Sequence, residues 1–161
     1  MQKAVHRGHL AVVKVLLEGG ADANKASNTV CTPLQMAPLQ MAVLCGQLAV
    51  VKVLLEAGAD ANKAADDRSL PLQMAAHGGH SAVVKALLGS GADLHKTDGD
   101  GNTMLIIAVR CDHLVVVEAL LEAGADAKVM RNDGGTALRL AMLDGGKAAI
   151  VAALQRHERS G

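Results

Sequence analysis

A helical pattern of apolar residues recurs four times along the chain, each time just before the tripeptide Gly-Ala-Asp. In the first copy, residues 10–17, the apolar side chains of Val13, Leu16 and Leu17 are spaced i, i+3 and i+4, so they share one face of a helix. The other copies are residues 48–55, 81–88 and 114–121. A glycine follows each segment, as is common where a helix ends. The pattern therefore predicts four amphipathic helices.

A shorter helix is predicted before each long one. Thr32, Pro33 and Leu34 have the order of an N-cap, a proline in the first turn and an apolar residue. Thr103 and Thr136 offer the same cap in later copies. Turn-forming residues separate each Gly-Ala-Asp from the next short helix. Each unit is thus a turn, a short helix, a tight loop and a long helix, and such units must stack to bury their apolar faces.

These features resemble the ankyrin repeat. The last two Gly-Ala-Asp steps are 33 residues, the short helix begins with Thr-Pro-Leu-x-x-Ala, and Gly-His loops occur at Gly8-His9 and Gly79-His80. The resemblance implies an all-α ankyrin solenoid in one domain, residues 1–161, with β-hairpin-like finger turns. We expect about five units, the first one truncated, at approximately 1–26, 27–64, 65–97, 98–130 and 131–161.

Two departures from the family pattern bear on the fold. The segment 33–37 is repeated at 38–42, which lengthens the first Gly-Ala-Asp step to 38 residues. We expect Pro38 to begin the packed helix with Leu39 and Ala42 buried, the alternative being a helix that begins at Pro33 and kinks at Pro38. The second departure is the family's histidine after Thr-Pro-Leu, which is replaced by Gln35 or Gln40, Gln73, Ile106 and Arg139 in successive units. Glutamine can replace part of its hydrogen bonding, and isoleucine cannot.

Composition and charge narrow the function classes. The chain has no Trp, Tyr or Phe, so its core must consist of Leu, Val, Ala, Ile and Met. Sixteen basic and sixteen acidic residues balance, so no net charge recruits nucleic acid or an anionic membrane. The three cysteines, Cys31, Cys45 and Cys111, fit no zinc spacing and indicate free thiols in the cytoplasm or nucleus, with secretion and one disulfide as the alternative.

Motifs for catalysis and metal binding are weak. The pair His77-x-x-His80 has a spacing that could hold zinc, as does the pair at residues 6 and 9, but no further ligand completes either site. Asp98-x-Asp100-x-Asn102 resembles half of a calcium loop and lacks its glycine and glutamate, which favours a turn. We therefore expect no enzymatic activity, no cofactor and no metal.

The resemblance implies a scaffold that binds a protein partner through its fingers and the concave short-helix face. The candidate contacts, placed by their position in each unit, are Arg7, Leu44, Arg68, His77, Arg110, Arg131 and Leu143. Asn102 is expected to add a contact at a fingertip. Arginine is the only residue type favoured at hot spots that this chain offers, so Arg7 and Arg110 should dominate, with an acidic or mixed segment as partner and a monomeric scaffold. The alternative is a fragment of a larger multidomain protein, or an engineered array, with no native partner.

Two asparagines have the spacing of a modification site. Asn24 and Asn62 follow a leucine and an aspartate at intervals that resemble the site of an animal asparaginyl hydroxylase in ankyrin repeats. The alternative is a structural role in which each asparagine bonds its own backbone in a turn.

Overall fold

The computed structural model describes residues 1–25, 37–65, 68–143 and 147–160, and these form ten α-helices. The short helices are α1 (Gln2–His6), α3 (Pro38–Leu44), α5 (Pro71–His77), α7 (Met104–Arg110) and α9 (Ala137–Leu143). The long helices are α2 (Leu10–Glu18), α4 (Leu48–Glu56), α6 (Ser81–Gly89), α8 (Leu114–Glu122) and α10 (Ala148–Ser160). Within the described ranges, β structure is limited to one antiparallel bridge between Thr97 and Thr103. None of the described helices could cross a membrane.

The helices stack in two layers. Short helices pack against short helices and long helices against long ones, and the two helices of each unit also contact each other. The core between the layers is aliphatic, with Leu54, Leu72, Leu87, Leu105 and Leu120 completely or almost completely buried. Because every layer is thin, leucine, valine and alanine fill it without aromatic rings. The predicted all-helical solenoid of five helix pairs is confirmed.

The duplicated segment is accommodated as expected. Helix α3 begins at Pro38, and Leu39 and Ala42 are both buried. Proline is favoured at the first helical position because its missing N–H would have no partner there. The prediction that the packed helix begins at Pro38 is confirmed, whereas the first copy of the duplicated segment lies outside the described residues apart from Ala37.

The short helices use two complementary ways of capping. In α7 the Thr103 hydroxyl accepts a hydrogen bond from the backbone N–H of Ile106 at 3.2 Å. Where the cap is not threonine, the glutamine in the first turn bonds the backbone N–H of the cap instead. Gln40 accepts from the N–H of Ala37 at 2.6 Å, and Gln73 accepts from Leu70 at 2.8 Å. Each arrangement supplies one half of a capping box. The two glutamines therefore have a structural role in this fold, because each caps the helix on which it lies.

Gln40 also links neighbouring units. Its side-chain amide donates to the backbone carbonyl of Lys63, 2.8 Å away in the next finger. The expectation that glutamine takes over part of the histidine's bonding is therefore confirmed for this residue. Ile106, which has no polar side-chain group, is buried instead.

One face of α2 is more exposed to solvent than the same face of α4. Val12 is 47% exposed, whereas its equivalent Val50 in α4 is 2% exposed. The difference agrees with the stacking of the described long helices, in which α4 packs against both α2 and α6. Val12 and Val50 thus form a matched pair that separates the contribution of stacking from that of side-chain type.

Candidate partner-binding groove

The C-terminal ends of α3, α5 and α7 border an open groove of about 570 Å³. The groove brings together three of the predicted contact residues, Leu44, His77 and Arg110, which are the last residues of these helices. All three are exposed. The remaining lining residues are Ser69, Gln73, Met74, Gly78, Asp98, Ile107 and Cys111. The groove therefore combines apolar, cationic, acidic and thiol side chains over three units.

The backbone of this groove is held by the loop that follows each short helix. Residues of these loops extend back and donate to carbonyls at the end of the preceding short helix. The His113 ring Nε2 bonds the carbonyl of His77 at 2.9 Å, and His80 Nε2 bonds that of Leu44 at 3.4 Å. Two further residues make such bonds: Gln47 donates to the carbonyl of His6 at 3.2 Å, and Lys147 donates to the carbonyls of Val109 at 2.6 Å and Arg110 at 3.1 Å. These bonds fix the carbonyls of the groove residues.

The histidine rings explain the glycines beneath them. A Cβ atom on Gly79 would lie 2.8 Å from the His113 ring, and φ at Gly79 is 73°. Both the backbone conformation and the available space therefore favour glycine there. In the next unit Asp112 occupies the equivalent position with φ 62°, and the residue that extends back over it is Lys147 rather than histidine. A flexible lysine leaves room for the aspartate side chain that a rigid ring would not.

Asp98 supplies the acidic edge of the groove and is locked in place by its own turn. Its carboxylate accepts hydrogen bonds from the backbone N–H groups of Asp100 and Asn102 at 3.0 and 2.8 Å, and from the Asn102 side chain at 2.7 Å. Partial burial acts to raise the pKa of the Asp98 carboxyl, but these bonds and the nearby charge of Arg110 outweigh it, so the pKa lies below its ordinary value. Asp98 is therefore a fixed negative charge beside Arg110 in the groove.

A thiol and an imidazole lie next to each other in the wall of the groove. The Sγ atom of Cys111 lies 3.4 Å from Nδ1 of His77. Cys45 has the equivalent position at the end of α3, where it is exposed, and both cysteines are free. The two thiols thus share a place in their units but differ in their surroundings.

The family comparison agrees with this architecture. A family model described as ankyrin repeats (3 copies) matches residues 1–65 and 72–159. The chain belongs to the ankyrin-repeat family. No curated protein matches the sequence. Ankyrin repeats are generally protein–protein interaction modules and are typically non-catalytic.

The other predicted contact residues of this ankyrin chain lie outside the groove. Arg7 is exposed just after α1, and Leu143, the last residue of α9, is 71% exposed. Arg68 is exposed in a finger with φ 66°. The Arg131 side chain is only 19% exposed and pairs with the carboxylate of Asp133 at 3.3 Å, so it is less available than expected.

One expected fingertip contact is wrong. Asn102 is 1% exposed, because its backbone and side chain both bond the carboxylate of Asp98. Asp98-x-Asp100-x-Asn102 thus forms a turn, as its failure to match a calcium loop indicated. Among the residues that the structure describes, no three His, Cys, Asp or Glu side chains come together in a way that could hold a metal ion.

Two groove residues that sequence reasoning missed are Met74 and Ile107. Each lies three residues before a predicted contact, His77 or Arg110, on the same helical face. Helical spacing from the predicted contacts was the signal that could have found them.

Asn24 and Asn62 join neighbouring ankyrin fingers. The Asn62 amide donates to the carbonyl of Gly91 at 2.8 Å, and its oxygen accepts from the backbone N–H of Asp93 at 2.8 Å. Asn24 makes the same two bonds to the following unit, at 2.9 and 2.8 Å. The structural alternative, in which each asparagine bonds its own backbone, is therefore wrong about the partner, because the side chains bond the next unit.

Proposed function

We propose that the protein is a non-catalytic scaffold that binds a protein segment in the groove between the ends of α3, α5 and α7. The observation that supports this most directly is the convergence of Leu44, His77 and Arg110 on one groove of about 570 Å³. A groove of this size accommodates several side chains of a peptide.

The chemistry of the groove favours a partner segment that is both apolar and acidic. Leu44, Met74 and Ile107 offer apolar contact surface, with Leu44 itself 51% exposed. The Arg110 guanidinium can donate two parallel hydrogen bonds to a carboxylate. Asp98, whose pKa is lowered by the hydrogen bonds of its own turn, disfavours a second acidic group near it in the groove. An apolar residue close to a single aspartate or glutamate is therefore the expected recognition pattern.

A peptide-display selection against the immobilised protein tests the proposal. We expect the selected peptides to combine apolar residues with one carboxylate. Arg110→Glu should weaken their binding by about tenfold or more, equivalent to about 1.4 kcal/mol. Lys52→Glu is the matched control, because it makes the same charge reversal at an exposed position of α4, away from the groove.

The result also separates the alternatives. Peptides whose binding is equally insensitive to both charge reversals would place recognition elsewhere and refute the groove. A selection that yields no binding peptide at all would favour the view that the chain is a fragment or an engineered array without a native partner.

We further propose that Asn62 is a substrate for an asparaginyl hydroxylase of the kind that modifies ankyrin repeats. Its amide is engaged by two hydrogen bonds to the next finger, so the finger must open locally before an enzyme can reach the side chain. We expect slow gain of one oxygen atom on the tryptic peptide 53–63, which contains no methionine to confuse the result. Absence of that gain with an enzyme that modifies a control ankyrin peptide would refute the proposal.

A further inference from the structure

We propose that Cys111 and His77 form a covalent modification site, at which Cys111 is alkylated by soft carbon electrophiles of the α,β-unsaturated carbonyl class. The Sγ and Nδ1 atoms are 3.4 Å apart, within hydrogen-bonding range for sulfur. A nucleophile paired with a base at this distance is the arrangement by which proteins activate a thiol.

The pair is held by the stacking of two units. His77 ends α5, Cys111 directly follows α7, and these two helices pack against each other. The bond of 2.9 Å from His113 to the carbonyl of His77 ties the same two units together beside the pair. The thiol and the imidazole are therefore placed by the scaffold and face a common groove.

The addition needs no oxidant and no leaving group. In the tautomer with its proton on Nε2, His77 accepts the thiol proton at Nδ1 while the sulfur attacks the β-carbon of the electrophile. A carbon–sulfur bond forms, and the electron pair of the carbon–carbon double bond moves to the α-carbon. The α-carbon then takes the proton back from the imidazolium, which restores neutral His77.

The surrounding groove indicates what kind of electrophile fits. Leu44, Met74 and Ile107 line it with apolar surface, and the Arg110 guanidinium is adjacent to Cys111 in the chain. An electrophile with an apolar body and a carboxylate would contact both, because arginine pairs well with carboxylates.

Cys45 supplies an internal control. It has the equivalent place at the end of α3 and is more exposed than Cys111. None of the hydrogen bonds found among the described residues involves its thiol, so no bond like that of Cys111 to His77 joins it to His6, the equivalent residue in the unit before it. Accessibility alone predicts faster alkylation of Cys45, whereas assistance by His77 predicts faster alkylation of Cys111.

The experiment compares the two thiols in one molecule. In a Cys31→Ser background, tryptic peptides 26–52 and 111–128 each contain a single cysteine. The protein is treated with limiting N-ethylmaleimide, and the labelled fraction of each peptide is followed by mass spectrometry. We expect Cys111 to react about tenfold faster than Cys45, below the effect of a positioned base in an enzyme. The more exposed Cys45 reacting faster would overturn the proposal.

Substitution of the base provides the second arm. His77→Gln should lower the Cys111 rate to near that of Cys45 and leave the Cys45 rate unchanged, which a general loosening of the fold would not do. His77→Asn serves in the same way if the first variant does not fold, as judged by circular dichroism. An unchanged Cys111 rate in a folded variant would overturn the role of His77.

A charged probe tests the class of electrophile. 4-Maleimidobutyrate should alkylate Cys111 several-fold faster than N-ethylmaleimide, and Arg110→Gln should remove this preference. Equal rates for the two probes in the parent protein would overturn the carboxylate specificity.

The adduct would fill the groove that we propose for the partner, so alkylation and peptide binding should exclude each other. This last point rests on the proposed function, whereas the alkylation rates do not. Fast alkylation of Cys111 that leaves peptide affinity intact would therefore refute the exclusion alone.

Discussion

Gly79→Ala tests the idea that the histidine ring of one unit requires a glycine in the unit before it. Alanine at φ 73° costs about 1–2 kcal/mol in any protein, because a left-handed backbone crowds its Cβ. The new Cβ would also meet the His113 ring at 2.8 Å, so the ring must move. Moving it sacrifices the 2.9 Å bond to the carbonyl of His77, worth about 1 kcal/mol. We expect a total loss of about 2–3 kcal/mol in the free energy of unfolding.

Gly58→Ala is the control for the cost of placing alanine in a left-handed backbone conformation. Its φ is 82°, and apart from its two chain neighbours no described residue has a heavy atom within 4 Å of the position that a Cβ would take. The loss there should be limited to about 1–2 kcal/mol. The difference between the two variants then isolates the contact with the His113 ring.

A rescue variant copies the arrangement that the chain itself uses one unit later. There Asp112 has φ 62° under Lys147. In a His113→Lys background, Gly79→Ala should therefore cost no more than Gly58→Ala does. Urea unfolding followed by circular dichroism is the assay, since the chain has no aromatic residue for fluorescence, and unchanged m-values support the comparison. Equal losses at Gly79 and Gly58 in the parent protein, or no benefit from His113→Lys, would refute the reasoning.

Three further changes are tested by the same unfolding measurements. Val50→Ala should lower the free energy of unfolding by about 1–2 kcal/mol and Val12→Ala by less than about 0.5 kcal/mol, because Val50 is buried and Val12 is half exposed. Equal losses would contradict the idea that stacking buries Val50. The pKa of Asp98 is lowered in the folded protein, so the ionised carboxylate stabilises the fold above about pH 4, and this contribution is lost as the pH falls through the folded pKa. Asp98→Asn should therefore make the free energy of unfolding depend less on pH in this range. The same pH dependence in the variant and the parent protein would contradict this role of Asp98. Deleting residues 33–37 should raise the melting temperature, because it replaces the Ala37 cap by threonine, and a clearly lower melting temperature would show that the extra segment is a packed part of the fold.

Local sequence patterns were sufficient to predict where most of the helices lie. The i, i+3, i+4 spacing located the first four long helices but not α10, and the preference of proline for the first helical turn located the start of α3 at Pro38. Position within the unit was sufficient to place Leu44, His77 and Arg110 along one groove, because equivalent residues of stacked units align.

Contacts between units were beyond sequence reasoning. Asn102 has the position of a fingertip residue, but the carboxylate of Asp98 draws its side chain inward. The pairing of Lys147 with the carbonyls of Val109 and Arg110, and of Cys111 with His77, joins residues more than 30 positions apart. Both pairings depend on the offset between adjacent units, which no local pattern specifies.

Within the units, different residues hold the backbone and line the groove, and this separation allows the groove residues to determine binding specificity. The residue that extends back from the loop is a hydrogen-bond donor in the four units where the bond is seen: Gln47, His80, His113 and Lys147. The residue that ends each short helix varies among histidine, leucine and arginine: His6, Leu44, His77, Arg110 and Leu143. Because the loop donors fix the backbone carbonyls at or beside these helix ends, the side chains there are free of a structural role. Substitutions at residues 44, 77 and 110 should therefore change what the groove binds at little cost to the stability of the stack.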